Sequence, residues 1–503
     1  MTFEPESIHS DLIDALSELR SSAVETQDEF AESIERVHPK YRDSARNLAH
    51  YLALRRSDVR ELQDELHFLG LSALGRSEPC VLSTLTNVIA ALKCMMGEEY
   101  ITEEPVTTTV NARTGPMYLS DHARTLMGTP NGERAARIMV TMSSDAATDP
   151  THVLELVRSG MDIMRINTAH DNVGAWKAMI SNLRAAEQQT GKKCKVYIDL
   201  GGPKFRLGPM ERVRVRKGDI IRFAKGLHGY ACDLRSPSEE RILLSCEPEE
   251  VFDAVRTGDP LWINDGKVSS RVIDVYEGGF EVEIVRTKHG GAWLRAEKGI
   301  NLPDTPLQID ALTNDDVKHL EQLGQFADII GMSFVRSAHD VASLFNEMER
   351  LGLTDRGVVA KIETQDGFEH LPQILFEGLR HPPFGIMVAR GDLAVEIGFE
   401  RLAEVQEEIL WLCEAAHVPV IWATQVLEGM AQKGIPSRAE VSDAAMSVRA
   451  ECVMLNKGPY IVDTVQFLSD ILHRMAEHHS KKRSLLRKLS VSGVAAPLNS
   501  GVE

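Results

Sequence analysis

The 503-residue chain has no Cys-x-x-Cys pair, no surplus of basic charge and no apolar run of membrane-spanning length. Its seven cysteines (Cys80, Cys94, Cys194, Cys232, Cys246, Cys413 and Cys452) are scattered and odd in number. That pattern argues against a disulfide framework and a thiolate zinc site, and reads as reduced thiols in a cytoplasm. Acidic residues outnumber basic ones by 74 to 56, a formal charge of −18, so the basic face that general nucleic-acid binding needs is missing. A phosphate ligand is not excluded, because a few local Lys and Arg outweigh the global field. The N-terminal stretch Met1–Leu19 is acidic and lacks the apolar core of a signal peptide. The expectation is a soluble cytoplasmic protein with neither a membrane nor a nucleic-acid partner. The length favours two or three domains.

What is present changes along the chain. Up to about residue 95 the apolar residues recur at helical spacing. Val59, Leu62, Leu66 and Leu69 follow a plausible Ser57 cap and stop at Gly70, and Val81, Leu85, Val88, Ile89 and Leu92 form a second stripe. Residues 98–133, rich in Thr, Gly, Pro and charge, read as a linker. From Arg137 onward eight strand-type runs appear, starting at Ile138, Met161, Val196, Ile329, Val358, Gly385, Val418 and Cys452. Most are about thirty residues apart with a helical pattern between them, the length of a βαβ unit. Eight such units predict an α/β fold of the TIM (β/α)8 barrel type, with a doubly wound open sheet as the competitor. The gap between Asp199 and Ile329 holds alternating segments at Arg212–Val215, Leu261–Ile263, Ser270–Ile273 and Phe280–Val285. These predict a small inserted β-domain, a natural lid at the active-site end. The expected division is a helical N-terminal region with linker over 1–135, barrel over 136–206 and 299–478, the inserted β lid over 207–298, and a flexible basic tail over 479–503.

Nearly every strand-type run ends in polar residues, and two endings carry most of the chemistry. Val359-Ala-Lys-Ile-Glu-Thr-Gln-Asp-Gly367 delivers Lys361 and Glu363, and Val388-Ala-Arg-Gly-Asp-Leu-Ala394 delivers Arg390, Gly391 and Asp392. Glu363 and Asp392 are hard oxygen donors suited to Mg²⁺ or Mn²⁺. Side chains alternate along a strand, so Lys361 points the same way as Glu363 and suits charge on a transferring phosphoryl group. Gly391 lets backbone N–H approach an anion at the start of a predicted helix. Thr424 offers a hydroxyl at the same mouth, and Arg165 and Arg206 can clamp phosphate. A lone Lys-x-Glu at a strand end is equally a surface ion pair, and a lone Asp392 equally a helix cap. The joint pattern lifts the functional reading.

These residues resemble the pyruvate kinase family, and the resemblance runs from about Arg137 to about Val465. It rests on Gly160-Met-Asp-Ile-Met-Arg-Ile-Asn-Thr-Ala-His170, Asp199-Leu-Gly-Gly-Pro-Lys-Phe-Arg206, Ile263-Asn-Asp-Gly266 and Lys298-Gly-Ile-Asn-Leu-Pro303. Ser333-Phe-Val-Arg336, Ala423-Thr-Gln425 and Pro436-Ser-Arg-Ala-Glu-Val-Ser-Asp443 stand in the same order around the two opening motifs. The resemblance implies phosphoryl transfer from phosphoenolpyruvate to ADP in the last step of glycolysis, by a homo-oligomer. Carried over, Lys361, Arg165 and Thr424 are the catalytic set. Arg165, Ser333, Lys361, Gly391, Asp392 and Thr424 bind substrate, Glu363 and Asp392 bind the divalent metal, and Asn167, His170, Arg206 and Lys298 face the nucleotide.

The chain also departs from the family pattern. Ala169, Leu200-Gly201, Lys204 and Leu207 stand where the family commonly has Ser, Thr-Lys, Glu and Thr around its monovalent cation. The ammonium of Lys204 is the expected surrogate for K⁺, so K⁺ is not expected to be required. The first barrel loop reads Thr141-Met-Ser-Ser-Asp-Ala146, without the family's proline, and Asn456-Lys-Gly-Pro-Tyr460 replaces the loop after the eighth strand. The usual C-terminal regulatory domain is not expected after the barrel, and a helical N-terminal region is expected in front instead. Two other classes fit the same motifs. One is a non-catalytic relative that binds phosphoenolpyruvate or nucleotide, although it would have no need of the lysine–metal arrangement. The other is a metal-dependent lyase of pyruvate enolates, which would have no need of the lid.

Overall fold

The computed structural model describes residues 5–98, 110–132, 134–226, 235–236, 239–306, 309–481 and 483–484. Its centre is a closed ring of eight parallel strands: β1 (Arg137–Thr141), β2 (Ile163–Asn167), β3 (Lys195–Asp199), β4 (Ile329–Met332), β5 (Gly357–Ile362), β6 (Phe384–Ala389), β7 (Val420–Ala423) and β8 (Cys452–Leu455). β1 pairs with β2 on one side and β8 on the other, so the sheet has no edge and the open-sheet alternative falls. Alternation divides each strand between two cores. Met139, Ile163, Tyr197, Ile329, Val359, Met387 and Ile421 fill the barrel interior, while Ile138, Val140, Val358 and Ala360 pack outward on the helices.

Two strands begin later than their apolar runs. β2 starts at Ile163 and β7 at Val420, because the residues before them close the preceding helices. Gly160 is left-handed at φ 113°, and Met161 N–H donates to Leu156 C=O. His417 adopts φ 51°, and Val418 N–H donates to Cys413 C=O. Both are reverse turns that satisfy helix-end carbonyls.

The segment read as a linker over 98–133 contains a helix, Thr114–Met127, ended by Gly128 at φ 78°. Its Thr, Gly and Pro disguise a helical face that buries Leu119, Ala123, Leu126 and Met127. Leu126 and Met127 join the interior cluster of the barrel and plug its base. A Cβ at Gly357 would lie 2.4 Å from Leu126 Cδ1, and one at Gly385 2.6 Å from Leu126 Cδ2, so those two strands need glycine where the plug enters. The helices Pro5–Glu29, Arg42–Leu54 and Val81–Met95 pack on one another and dock on the end of helix Leu402–Ala415. Asn47 Nδ2 donates to Ala415 C=O at 2.8 Å. Buried His417 contacts Ser44 Oγ at 2.9 Å and Pro79 C=O at 3.0 Å, and His122 Nδ1 lies 2.7 Å from His417 C=O. Ser57 is not a cap: helix Arg60–Phe68 starts after Val59, and Asp58 Oδ1 accepts from Arg60 N–H at 3.1 Å.

Between β3 and β4 the chain builds a seven-stranded sheet and small two-stranded pairs around an apolar core of their own, including Phe223, Phe280, Leu261 and Val282. At the other end, His479–Ser480 pairs with Arg483–Ser484 and Lys481 forms an ion pair with Glu451, so the start of the tail is a short hairpin. The rest of the basic tail lies outside the described residues, as does Cys232. The other six cysteines are free. Among the described residues no helix is long and apolar enough to cross a membrane.

The docked base carries a pH dependence. Burial pushes His122 and His417 down from the usual 6.5 to about 4. The unfolded chain therefore binds more protons than the folded one between about pH 4 and 6.5, and stability falls as pH drops through that window. Two such shifts amount to on the order of a few kcal/mol. Urea unfolding at pH 7 and at pH 5 is expected to show the loss, and His417→Gln is expected to flatten it.

Candidate active site

The C-terminal ends of the barrel strands bring the opening motifs together. β5 and β6 are parallel neighbours, with Ile362 opposite Val388, so Glu363 and the start of helix Arg390–Ile397 emerge side by side. Lys361 is buried. Its Nζ donates to Ser333 Oγ at 2.7 Å and lies 3.2 Å from Asp199 Oδ1 and 3.4 Å from Glu363 Oε1. Ser333 Oγ in turn donates a hydrogen bond to Leu200 C=O at 2.6 Å. Burial opposes the charge on Lys361, but Asp199 and Glu363 outweigh it and hold the ammonium above the usual lysine range.

Asp199 is the organising residue that the sequence left as one polar strand end among many. It is 1% exposed and accepts from Arg165 Nε at 2.8 Å and also from its Nη2. Arg165 Nη1 donates to Thr141 Oγ1 at 2.8 Å. One carboxylate thus aims both the lysine and the arginine. Glu363 accepts Phe334 N–H at 2.7 Å. Burial pushes Glu363 up, with Asp392 adding to the effect and Lys361 opposing it. Burial would raise Asp392 too, but the Lys204 ammonium, 2.8 and 2.9 Å from its two oxygens, holds it below its ordinary value. Gly299 makes room for the Lys204 stem, since a Cβ there would lie 2.8 Å from Lys204 Cε.

Thr424 closes the other side. It and Gln425 adopt φ 65° and 58°, a left-handed conformation costing roughly 1–3 kcal/mol for each non-glycine residue. Arg390 holds that turn, donating to Ala423 C=O at 3.0 Å and Thr424 C=O at 2.6 Å while Asp443 pairs with its guanidinium. Arg390 is therefore a buttress and not a ligand-facing charge. Asp443, the last residue of the Pro436–Asp443 motif, is its partner. Thr424 Oγ1 is buried without a hydrogen-bond partner among the described residues. A Cβ at Gly391 would lie 3.6 Å from it, so the glycine leaves space between this hydroxyl and the helix start.

Beside Thr424 opens a cavity of about 230 Å³ whose lining includes Thr141, Arg165, Asn167, His170, Asn456 and Lys457. Trp176, which sequence reading passed over, fixes the His170 turn by donating to its C=O at 2.9 Å. Burial, with Lys457 and Arg206 nearby, lowers His170. Arg206 and Lys298 stand on the lid root, where Arg206 bridges Gly299, and are not part of that lining.

The donor set fits a divalent cation of the Mg²⁺ type. Glu363 and Asp392 are the candidates, and no group of three or more His, Cys, Asp or Glu suited to a metal occurs among the described residues. Ions of the Mg²⁺ type are commonly bound by one or two carboxylates, with water in the other positions.

The family model described as "Pyruvate kinase, barrel domain" matches residues 133–465. The chain belongs to the pyruvate kinase family. It is thereby a phosphotransferase. Curated relatives include a pyruvate kinase of Agrobacterium vitis, 33% identical over 69% of this chain and 70% of that protein. Pyruvate kinases of Aeropyrum pernix (32% identical, 66% and 68% covered) and Thermococcus litoralis (31%, 65% and 66%) are similar. The match spans the barrel and lid and stops short of the N-terminal helices, as a family resemblance carried by the strand-end motifs requires.

Asp199→Asn tests the organising role. Arg165 and Lys361 would keep their charges in a buried site with one carboxylate fewer. The expected outcome is a loss of about 3 kcal/mol in denaturant unfolding and a roughly hundredfold fall in kcat.

Proposed function

We propose that this chain is a pyruvate kinase that transfers the phosphoryl group of phosphoenolpyruvate to ADP, giving pyruvate and ATP, with Mg²⁺ or Mn²⁺ and without K⁺. The observation that carries the reading is the buried cluster of Lys361, Asp199, Arg165 and Glu363 beside Asp392 and the orphaned Thr424 hydroxyl, in a member of this family. Lys361 is held protonated and stabilises charge developing on the transferring group. Arg165 offers a guanidinium already oriented by Asp199 and Thr141, so little ordering is left for the moment of binding. Gly391, Asp392, Ser333 and Thr424 shape the substrate end. Asn167 and His170 at the cavity, with Arg206 and Lys298 on the lid root, serve the nucleotide, and Lys457 adds positive charge there. Glu363 and Asp392 would hold the divalent ion, which when bound would supply positive charge to neutralise the transferring phosphoryl group.

Lys204 supports the K⁺-independent reading. Its ammonium sits on Asp392, so a fixed positive charge stands near the cluster where an exchangeable cation would otherwise be needed.

Pyruvate formation from phosphoenolpyruvate, measured with and without ADP, tests the activity. Lys361→Met is expected to lower ADP-dependent kcat by at least ~10³-fold while phosphoenolpyruvate still binds. Binding without turnover in the wild type would instead favour a non-catalytic relative. In a potassium-free buffer series, full activity without K⁺ is expected, and Lys204→Glu is expected to make the enzyme dependent on added K⁺. Strict K⁺ dependence of the wild type would overturn the surrogate role.

A further inference from the structure

The chain enters and leaves the lid along two stretches, and each places a donor on the same carboxylate. On the incoming stretch, Lys204 Nζ holds both oxygens of Asp392. On the outgoing stretch, Asn301 Nδ2 lies 3.4 Å from Asp392 Oδ1 and 3.1 Å from Glu396 Oε1. Asn301 is part of the lid sheet: Ile300–Asn301 pairs with Trp262–Ile263. It is also 5% exposed, so water does not compete freely for its amide. Asp392 and Glu396 are four residues apart on helix Arg390–Ile397, hence neighbours on one face, where two carboxylates repel. A carboxamide has two N–H donors, and here each carboxylate receives one contact from the same nitrogen.

We propose that Asn301 is a positioning residue: anchored on Glu396, it sets the direction in which Asp392 presents its oxygens, and it thereby links divalent-ion binding to the position of the lid. The proposal rests on the reading of Asp392 as a metal ligand. Its physical basis is reciprocity. A shift of the outgoing connection moves the amide off Asp392, so the carboxylate has one preferred direction with the lid seated and another with it displaced. An ion that prefers one direction favours the matching lid position, and the lid position changes ion affinity by the same factor. Partners that orient a metal ligand typically contribute 10–100-fold to affinity.

The test uses the full chain without substrates and Mn²⁺ as the probe. Electron paramagnetic resonance of free Mn²⁺ gives the affinity, and hydrogen exchange at residues 203–207 and 299–302, with and without Mn²⁺, reads the lid connections. Asn301→Leu is expected to weaken Mn²⁺ binding about tenfold and to abolish the Mn²⁺-induced change in exchange. Asn301→Gln, which keeps the amide, is expected to recover part of both. Glu396→Gln changes no residue of the lid itself and is expected to weaken Mn²⁺ binding by a smaller factor, which decides the matter if Asn301→Leu does not fold. Asp392→Asn separates the two readings. If it loses Mn²⁺ while the Asn301 and Glu396 variants bind as the wild type does, the positioning role is wrong and the metal assignment stands. If Asp392→Asn binds Mn²⁺ normally, the metal assignment fails and the proposal fails with it.

Discussion

Buried charge at the mouth of the barrel is the constraint on which the rest of the structure depends. Lys361, Arg165, Asp199 and Glu363 are each at most 9% exposed, and none of these charges would be tolerated there alone. Asp199 answers two cations at once, Ser333 and Phe334 supply neutral partners, and the protein thereby holds the charged cluster in one geometry. Such preorganisation is what electrostatic catalysis requires: donors already aimed, with no solvent to rearrange. The barrel makes it possible, because parallel strands deliver their C-terminal ends side by side on a scaffold packed inside and out.

The lid is tied into this electrostatic system and is more than a cover above it. Its connections run through Lys204 and Asn301, and both meet at Asp392. Gly299 shows how closely the parts fit, since the stem of Lys204 occupies the volume where a side chain would project.

Much of this was legible in the sequence because the signals were local. Eight apolar runs with polar ends gave the strands and the face on which chemistry gathers, and Lys361, Glu363 and Asp392 stood out by residue type at strand ends. What escaped depended on partners distant in the chain. Asp199 looked like any strand-end carboxylate, and only the fold shows it reaching Arg165 and Lys361. Arg390 looked like a site charge but is consumed by Asp443 and two carbonyls. The helix Thr114–Met127 was hidden because its composition favours loops, and it is helical because Leu126 and Met127 find a cavity that only the closed barrel supplies. Tertiary burial overrode local propensity there.

That plug has a consequence for how the molecule comes into being. Synthesis proceeds from the N-terminus, so the helix that seals the barrel is made before any of the eight strands that form its socket. Leu126 and Met127 must wait, solvent-facing or shielded by the neighbouring helices, until Cys452–Leu455 has emerged and the ring can close around them. This apolar surface is thus made before its socket, and its burial in the barrel waits on closure of the ring.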